Sequence, residues 1–387
     1  MWRFRLRVAH IVEKIVPLSG PPGGPGFWSK KICVWQVKAA WKWYNFLSSR
    51  PTGGKQILRL NLDETSICLF QGSGRGNVFV AKKRRVVQFV PKRKRRAFFT
   101  HVAVICDRSD LQPCMPQVLV SNERSFPARA MDRLRRSCPA NVVLIRQKSA
   151  WNNNILCARI IRRIAAALGH LRDRYQPVLL LDASRVHCSR VVLSACNACK
   201  FWVAMVPPSL TGLLQPLDTH AFRRFKHWLL SEFQRVRCET EQLDLPIEDF
   251  LPCVYSAIRH VLQGVAWAAA FDENGFGANQ TLVSGAIRCR LSGANCQCAA
   301  FACPTDADIA LCFPGRTVIP YDLIHAQFHS AQAEAARCGS VLASGSNHDL
   351  PRGAPLGVRS AWVLSAVPVR TPPRDGPLTR SQLRITR

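Results

Sequence analysis

Over the first fifty residues, apolar positions recur at helical spacing in one stretch, FWSKKICVWQVKAAWKWYNFL, flanked by the breaks SGPPGGPG and RPTGG. This predicts a single amino-terminal helix. From Ile57 the pattern becomes strand-like: ILRLNLDETSICLF, then VFVAKKRRVVQFV, then AFFTHVAVICD. These segments are rich in Val, Ile and Phe and are separated by Gly- or Lys/Arg-rich breaks, which predicts a three-stranded meander. PQVLV predicts a further short strand. WNNNILCARIIRRIAAAL returns to helical period, with Ile155, Ile160, Ile161, Ile164 and Leu168 on one side. PVLLLDAS and FWVAMV are short and apolar throughout, as strands buried on both sheet faces are. VHCSRVVLSACNAC between them predicts a helix, and QPLDTHAFRRFKHWLLSEFQRV a long one opened by Pro216.

A meander followed by alternating helix and strand is the element order of an RNase H-like α/β fold. The expectation is a mixed five-stranded sheet with helices on both faces. The pattern divides the chain into a basic segment at 1–56, the α/β domain at 57–290 and a carboxyl-terminal region at 291–387. The last of these is Ala-, Ser-, Arg- and Pro-rich from about residue 331 and is expected to be flexible there.

Charge changes the picture most. The chain carries 54 Lys and Arg against 24 Asp and Glu, a net charge of +30 over 387 residues. A surface so cationic attracts polyanions, nucleic acid first among them. The basic start MWRFRLRVAHIVEKIV has its apolar positions broken by Arg7, His10, Glu13 and Lys14, unlike a secretory signal. Runs such as LQGVAWAAAF are too short to span a bilayer. The seventeen cysteines are therefore expected to be reduced, most of them as small buried hydrophobes, in an intracellular compartment. The nucleus is the expected location, with an organellar transit peptide as the alternative for an Arg-rich, acid-poor start. Cys196 and Cys199, and the Cys296, Cys298, Cys303 cluster, lack the paired partner sets of a zinc finger.

Against this basic background a few acidic positions stand out. Asp63, followed by Glu64, lies within an apolar strand, and Asp182 ends the run Val-Leu-Leu-Leu. A carboxylate at the end of a buried strand is costly to desolvate unless a cation pairs with it. Taken singly, Asp182 and Asp218 also suit helix caps or first helical turns. Three carboxylates in this element order point instead to a shared site.

Four strings carry a family resemblance. LNLDETSICLF resembles the first-aspartate motif of the pogo, jerky and centromere-protein-B group of DDE endonucleases. KSAWNNNIL resembles its Trp-bearing segment, and PVLLLDASRVH its second-aspartate motif. VPPSLTGLLQPLDTHAFRRFK resembles its third-aspartate motif and is the most specific, joining Pro207-Pro208, Gln215-Pro216-Leu217-Asp218 and Phe225-Lys226. The resemblance implies a transposase catalytic domain in which Asp63, Asp182 and Asp218 bind two Mg²⁺ or Mn²⁺ ions. It implies DNA as the partner, cleavage and strand transfer as the reaction, and a homo-oligomer on transposon ends. His187, five residues beyond Asp182, matches a family histidine and would orient the scissile phosphate or satisfy a helix terminus. Glu64 is expected on the opposite sheet face from Asp63 and is left out of the ligand set. Ala183 stands where the family carries Asn after the second aspartate. That departure, with no legible amino-terminal DNA-reading module, favours the rival reading of a domesticated, catalytically inactive DNA-binding protein.

The remaining basic feature is Lys82-Lys83-Arg84-Arg85 followed by Lys92-Arg93-Lys94-Arg95-Arg96, nine basic residues among the sixteen from 81 to 96, with no acid. It reads as a solvated hairpin face, a nuclear import signal or, beside such a domain, a ridge that tracks DNA phosphates together with Lys226.

Overall fold

The computed structural model describes residues 12–17, 34–50, 54–68, 77–81, 98–123, 126–240, 245–277, 283–291 and 302–344. Its strands are β1 (Val12–Pro17), β2 (Gln56–Cys68), β3 (Asn77–Ala81), β4 (Phe98–Cys106), β5 (Gln117–Asn122), β6 (Val142–Gln147), β7 (Tyr175–Asp182) and β8 (Trp202–Val206). The longer helices are α1 (Val34–Ser48), α2 (Ala128–Arg136), α3 (Asn154–Leu168), α4 (Arg190–Ala198), α5 (Phe222–Thr240), α6 (Ile247–Ala257) and α7 (Tyr321–Ser344).

Six strands form one sheet in the order β6-β5-β4-β2-β7-β8. β2, β4 and β5 run antiparallel, and β7 and β8 extend the sheet in parallel from β2. That arrangement is the RNase H-like one. The observed sheet has one strand more than the expected five, because β6, VVLIRQ, adds parallel to β5 at the edge. The expected meander is corrected as well. Its second segment contributes β3, which pairs with β1 in a separate two-stranded sheet, and its place as a sheet strand is taken by β5. Both sheet faces are covered. Along β2, Arg59 reaches the short helix Ala268–Glu273 and Asn61 reaches the turn at Leu217. On the alternate side Glu64 reaches the segments that open α3 and α4.

β7 and β8 hold their place because almost every side chain in them is buried, as parallel central strands require. α3 is capped by Asn153, whose side chain accepts from Leu156 N at 2.9 Å, and buries Leu156, Ile160, Ile161, Ile164 and Leu168. Ile155, expected on that face, is instead 58% exposed in the first turn. The long helix expected from Gln215 is divided: a turn of π-helix at Leu217–Ala221 precedes α5.

α1 packs into the same core as the sheet. Trp41, Trp43 and Phe46 are buried, and Trp43 and Phe46 meet Phe328 of α7 edge-on at 5.8 and 5.3 Å. Trp41 donates to Asn274 O at 3.1 Å, and here only glycine fits at Gly275. Its φ is +83°, and an added Cβ would stand 2.4 Å from the Trp41 ring.

His101 on β4 has a solvent-free site. Its Nε2 lies 3.0 Å from Gln117 Oε1, and burial pushes its pKa down from 6.5 to about 4. The folded value lies below the unfolded one, so the unfolded chain takes up a proton first as pH falls from 6.5 towards 4. Stability present above pH 6.5 is therefore lost through that window, by up to about 3 kcal/mol at ~1.4 kcal/mol per pH unit. Urea titrations of wild type and His101→Gln across this range should show a flatter acid limb in the variant; superimposable pH profiles would contradict the assignment.

Candidate active site

The carboxyl ends of the central strands gather the acidic side chains. Asn61 of β2 pairs with Leu180 of β7, so Asp63 and Asp182, each two residues further on, stand level on neighbouring parallel strands. The third aspartate comes from the π-helical turn at Leu217–Ala221. Asn61 fixes that turn, its Oδ1 accepting from Leu217 N at 2.9 Å while its amide donates to Leu180 O at 3.0 Å. One buried side chain thus ties β2, β7 and the Asp218 turn together. Asn274, which donates to Leu213 O at 2.9 Å, and the His220–Glu273 pair at 3.0 Å brace the turn from the other side.

The acids are shifted in opposite directions. Burial, and then the charges of Asp218, Glu64 and Asp182, hold the Asp63 carboxyl well above the ordinary carboxylate range. Asp218 is raised too, by burial and by Asp182, against the opposing effects of the Thr211 hydroxyl and the Lys226 charge. Asp182 and Glu64 go the other way. Burial alone would raise both, but His187 outweighs it. His187 is fully buried; its Nδ1 is hydrogen-bonded to Asp182 Oδ1, and its Nε2 lies 3.4 Å from Glu64 Oε1. Despite the cost of burial, those two carboxylates raise its pKa well above 6.5 and favour an imidazolium between them. Asn152 donates to Glu64 from the segment ahead of α3.

The expected alternation of Asp63 and Glu64 holds, yet Glu64 belongs to this cluster through His187, because the loops before α3 and α4 close over its face. The signals for Asn61, Glu64 and Asn152 were present as polar residues in otherwise apolar strings. Ala183 is buried and offers only its backbone, which donates to Val206 O at 3.0 Å. Lys226 lies two turns along α5 from the Asp218 turn. Lys82, Lys83, Arg84, Arg85, Lys92, Arg93, Lys94, Arg95 and Arg96 lie outside the described residues, as do Cys296 and Cys298. Cys196 and Cys199 are buried free thiols.

Among the described residues, no three His, Cys, Asp or Glu side chains are already arranged to hold a metal ion together. The donor chemistry nevertheless fits a hard divalent cation. Three carboxylates supply only oxygen ligands, and the repulsion that raises Asp63 is what a bound cation would relieve. Asp182 spends Oδ1 on His187 and keeps a second oxygen. Gln215, three residues before Asp218, is buried with both amide atoms unbonded within the described residues.

No protein-family model matches the chain, and no curated protein matches it. Solved structures do. A Mos1 transposase paired-end complex with the left transposon end is 14% identical with a TM-score of 0.33, over 72% of this chain and 71% of that one. The catalytic domain of Mos1 mariner transposase is 14% identical with a TM-score of 0.30, over 62% of this chain and 94% of that one. Likeness at this level is loose, and the RNase H-like assignment rests on the strand order itself. Among the described residues, no helix is long and apolar enough to cross a membrane.

If the imidazolium holds two buried carboxylates in place, His187→Gln should lower the unfolding free energy by about 3 kcal/mol, the scale for stranding buried charge. Neutralising the partners as well, in Glu64→Gln/Asp182→Asn/His187→Gln, should return most of that loss. Denaturant midpoints measure both, and equal stability of His187→Gln and wild type would contradict the pairing.

Proposed function

We propose that this chain is a DDE-type transposase catalytic domain of the pogo, jerky and centromere-protein-B kind, acting on DNA by phosphodiester cleavage and strand transfer. The observation that carries this reading is the register that sets Asp63 and Asp182 level on neighbouring parallel strands, with the Asp218 turn tied to both through Asn61. A net charge of +30 supports DNA as the substrate. The nucleus is the corresponding compartment, and a homo-oligomer on transposon ends the corresponding assembly.

Asp63, Asp182 and Asp218 would hold the two Mg²⁺ or Mn²⁺ ions, which when bound supply an activated attacking oxygen and charge stabilisation at the departing one. The protein's own part is positioning. Asn61 sets Asp218 beside the strand ends, and His187 keeps Asp182 and Glu64 ionised and oriented. His187 has no exposed surface, so its geometry favours holding Asp182 over direct contact with the scissile phosphate. Lys226 offsets negative charge at Asp218.

A second reading, a domesticated DNA-binding protein without catalysis, is favoured by Ala183. Its buried methyl gives no polar group to orient substrate beside Asp182.

The two readings separate in one assay. With supercoiled plasmid and Mn²⁺, wild type should nick, while Asp182→Ala and Asp218→Ala should lose nicking by at least about a hundredfold and retain DNA binding. Binding without nicking by wild type would favour the domesticated reading, and equal nicking by all three would trace the activity to a contaminant.

A further inference from the structure

A cleft of about 440 Å³ opens between the segment after β7 and the chain leading into α7. Arg185, Cys188, Ser189 and Arg190 form one wall, and Arg316 to Pro320 the other. Among the described residues, no acidic side chain lines it. Arg190 is already neutralised, its guanidinium gripping both oxygens of Asp322 at 2.8 and 2.6 Å. That fork ties α4 to α7 and fixes the two walls relative to each other. Arg185 and Arg316 differ: both are exposed, and neither makes an ion pair with a described residue. Arg185 lies in the segment that leaves β7 directly after Asp182, three residues further along the chain.

We propose that this cleft binds the sugar-phosphate backbone of a nucleic-acid strand and leads it to the carboxylates. The inference rests on the proposed DNA-cleaving function and names part of the path it needs. Two planar guanidiniums without ion-pair partners among the described residues, one on each wall of the cleft, suit the paired oxygens of successive phosphodiesters. The hydroxyls of Ser189 and Thr317 add polar lining without negative charge. Backbone recognition of this kind would position the strand and carry no sequence preference. A comparison surface exists at the other end of the sheet. Arg172 and Lys200 line a smaller cleft of about 180 Å³ ahead of β7 and β8. It is separated from Asp182 by the length of β7, on the order of 25 Å.

The test is binding of the full chain to fluorescently labelled duplexes of two unrelated sequences, without divalent metal, between about 50 and 200 mM salt. Arg185→Ala/Arg316→Ala should flatten the plot of log affinity against log salt by about 1.8, two phosphate contacts at ~0.9 each. The change should be the same for both sequences, and Arg185→Lys/Arg316→Lys should keep the wild-type slope. Thermal melts confirm that the variants fold. An unchanged slope in the alanine pair would overturn the cleft, as would an equal flattening in Arg172→Ala/Lys200→Ala. A polyglutamate probe that depends on Arg185 and Arg316 when the duplexes do not would overturn it in favour of an acidic peptide. Plasmid nicking by wild type and the aspartate variants is read separately, so a failed cleavage reading leaves a metal-free slope change standing, and an overturned cleft leaves the aspartate test standing.

Discussion

Four carboxylates, Asp63, Glu64, Asp182 and Asp218, belong to the ends of the central strands β2 and β7 and the turn tied to them, and much of the local architecture answers their burial and repulsion. In so little water each charge disfavours the next, and Asp63 bears the largest burden. The protein resolves half of this itself. His187, with no exposed surface, lies between Asp182 and Glu64 and keeps both below the ordinary carboxylate range. Asp63 and Asp218 are left raised. That imbalance is what the proposed divalent cation would relieve. Stability alone would be better served by apolar residues, so the arrangement reads as functional.

Such a cluster needs a frame that does not yield. Arg59, four residues before Asp63, bonds Asp107 at 2.7 Å, Asp272 at 2.6 Å and Phe276 O at 3.0 Å, locking β2 to the end of β4 and to the short helix Ala268–Glu273. That region is packed in turn by α1 through Trp41 and Tyr44. Asn61 then passes the position of β2 to the Asp218 turn. Residues far apart in sequence therefore share one task, to hold three strand-end and turn positions in register.

The parts of this legible in the sequence were those set by local pattern. The apolar runs of β7 and β8 announced buried parallel strands, and Asp182 at the end of one stood out because charge is so costly there. The Gln215–Asp218 string marked the third acidic position although its π-helical turn was not foreseen. What escaped depended on long-range packing. β6 is half-exposed and weakly patterned, so the sheet's sixth strand was missed. β3 read as a sheet strand by composition, but pairing partner, not composition, decides which sheet a strand joins. Ile155 fitted the helical period yet lies in the exposed first turn of α3. Strand alternation placed Glu64 correctly on the far face, but no local rule reveals that His187 closes over that face too. The place of α1 among aromatic side chains from α7 was equally invisible.

The central claim is that the three aspartates form a site for a divalent cation. Calorimetric titration of the full chain with Mn²⁺ tests it without any assay of cleavage. Wild type should bind Mn²⁺ and gain thermal stability as the ion is raised above its dissociation constant, and Asp63→Asn should lose both effects while remaining folded. Equal Mn²⁺ binding by wild type and Asp63→Asn, or none by either, would contradict the account.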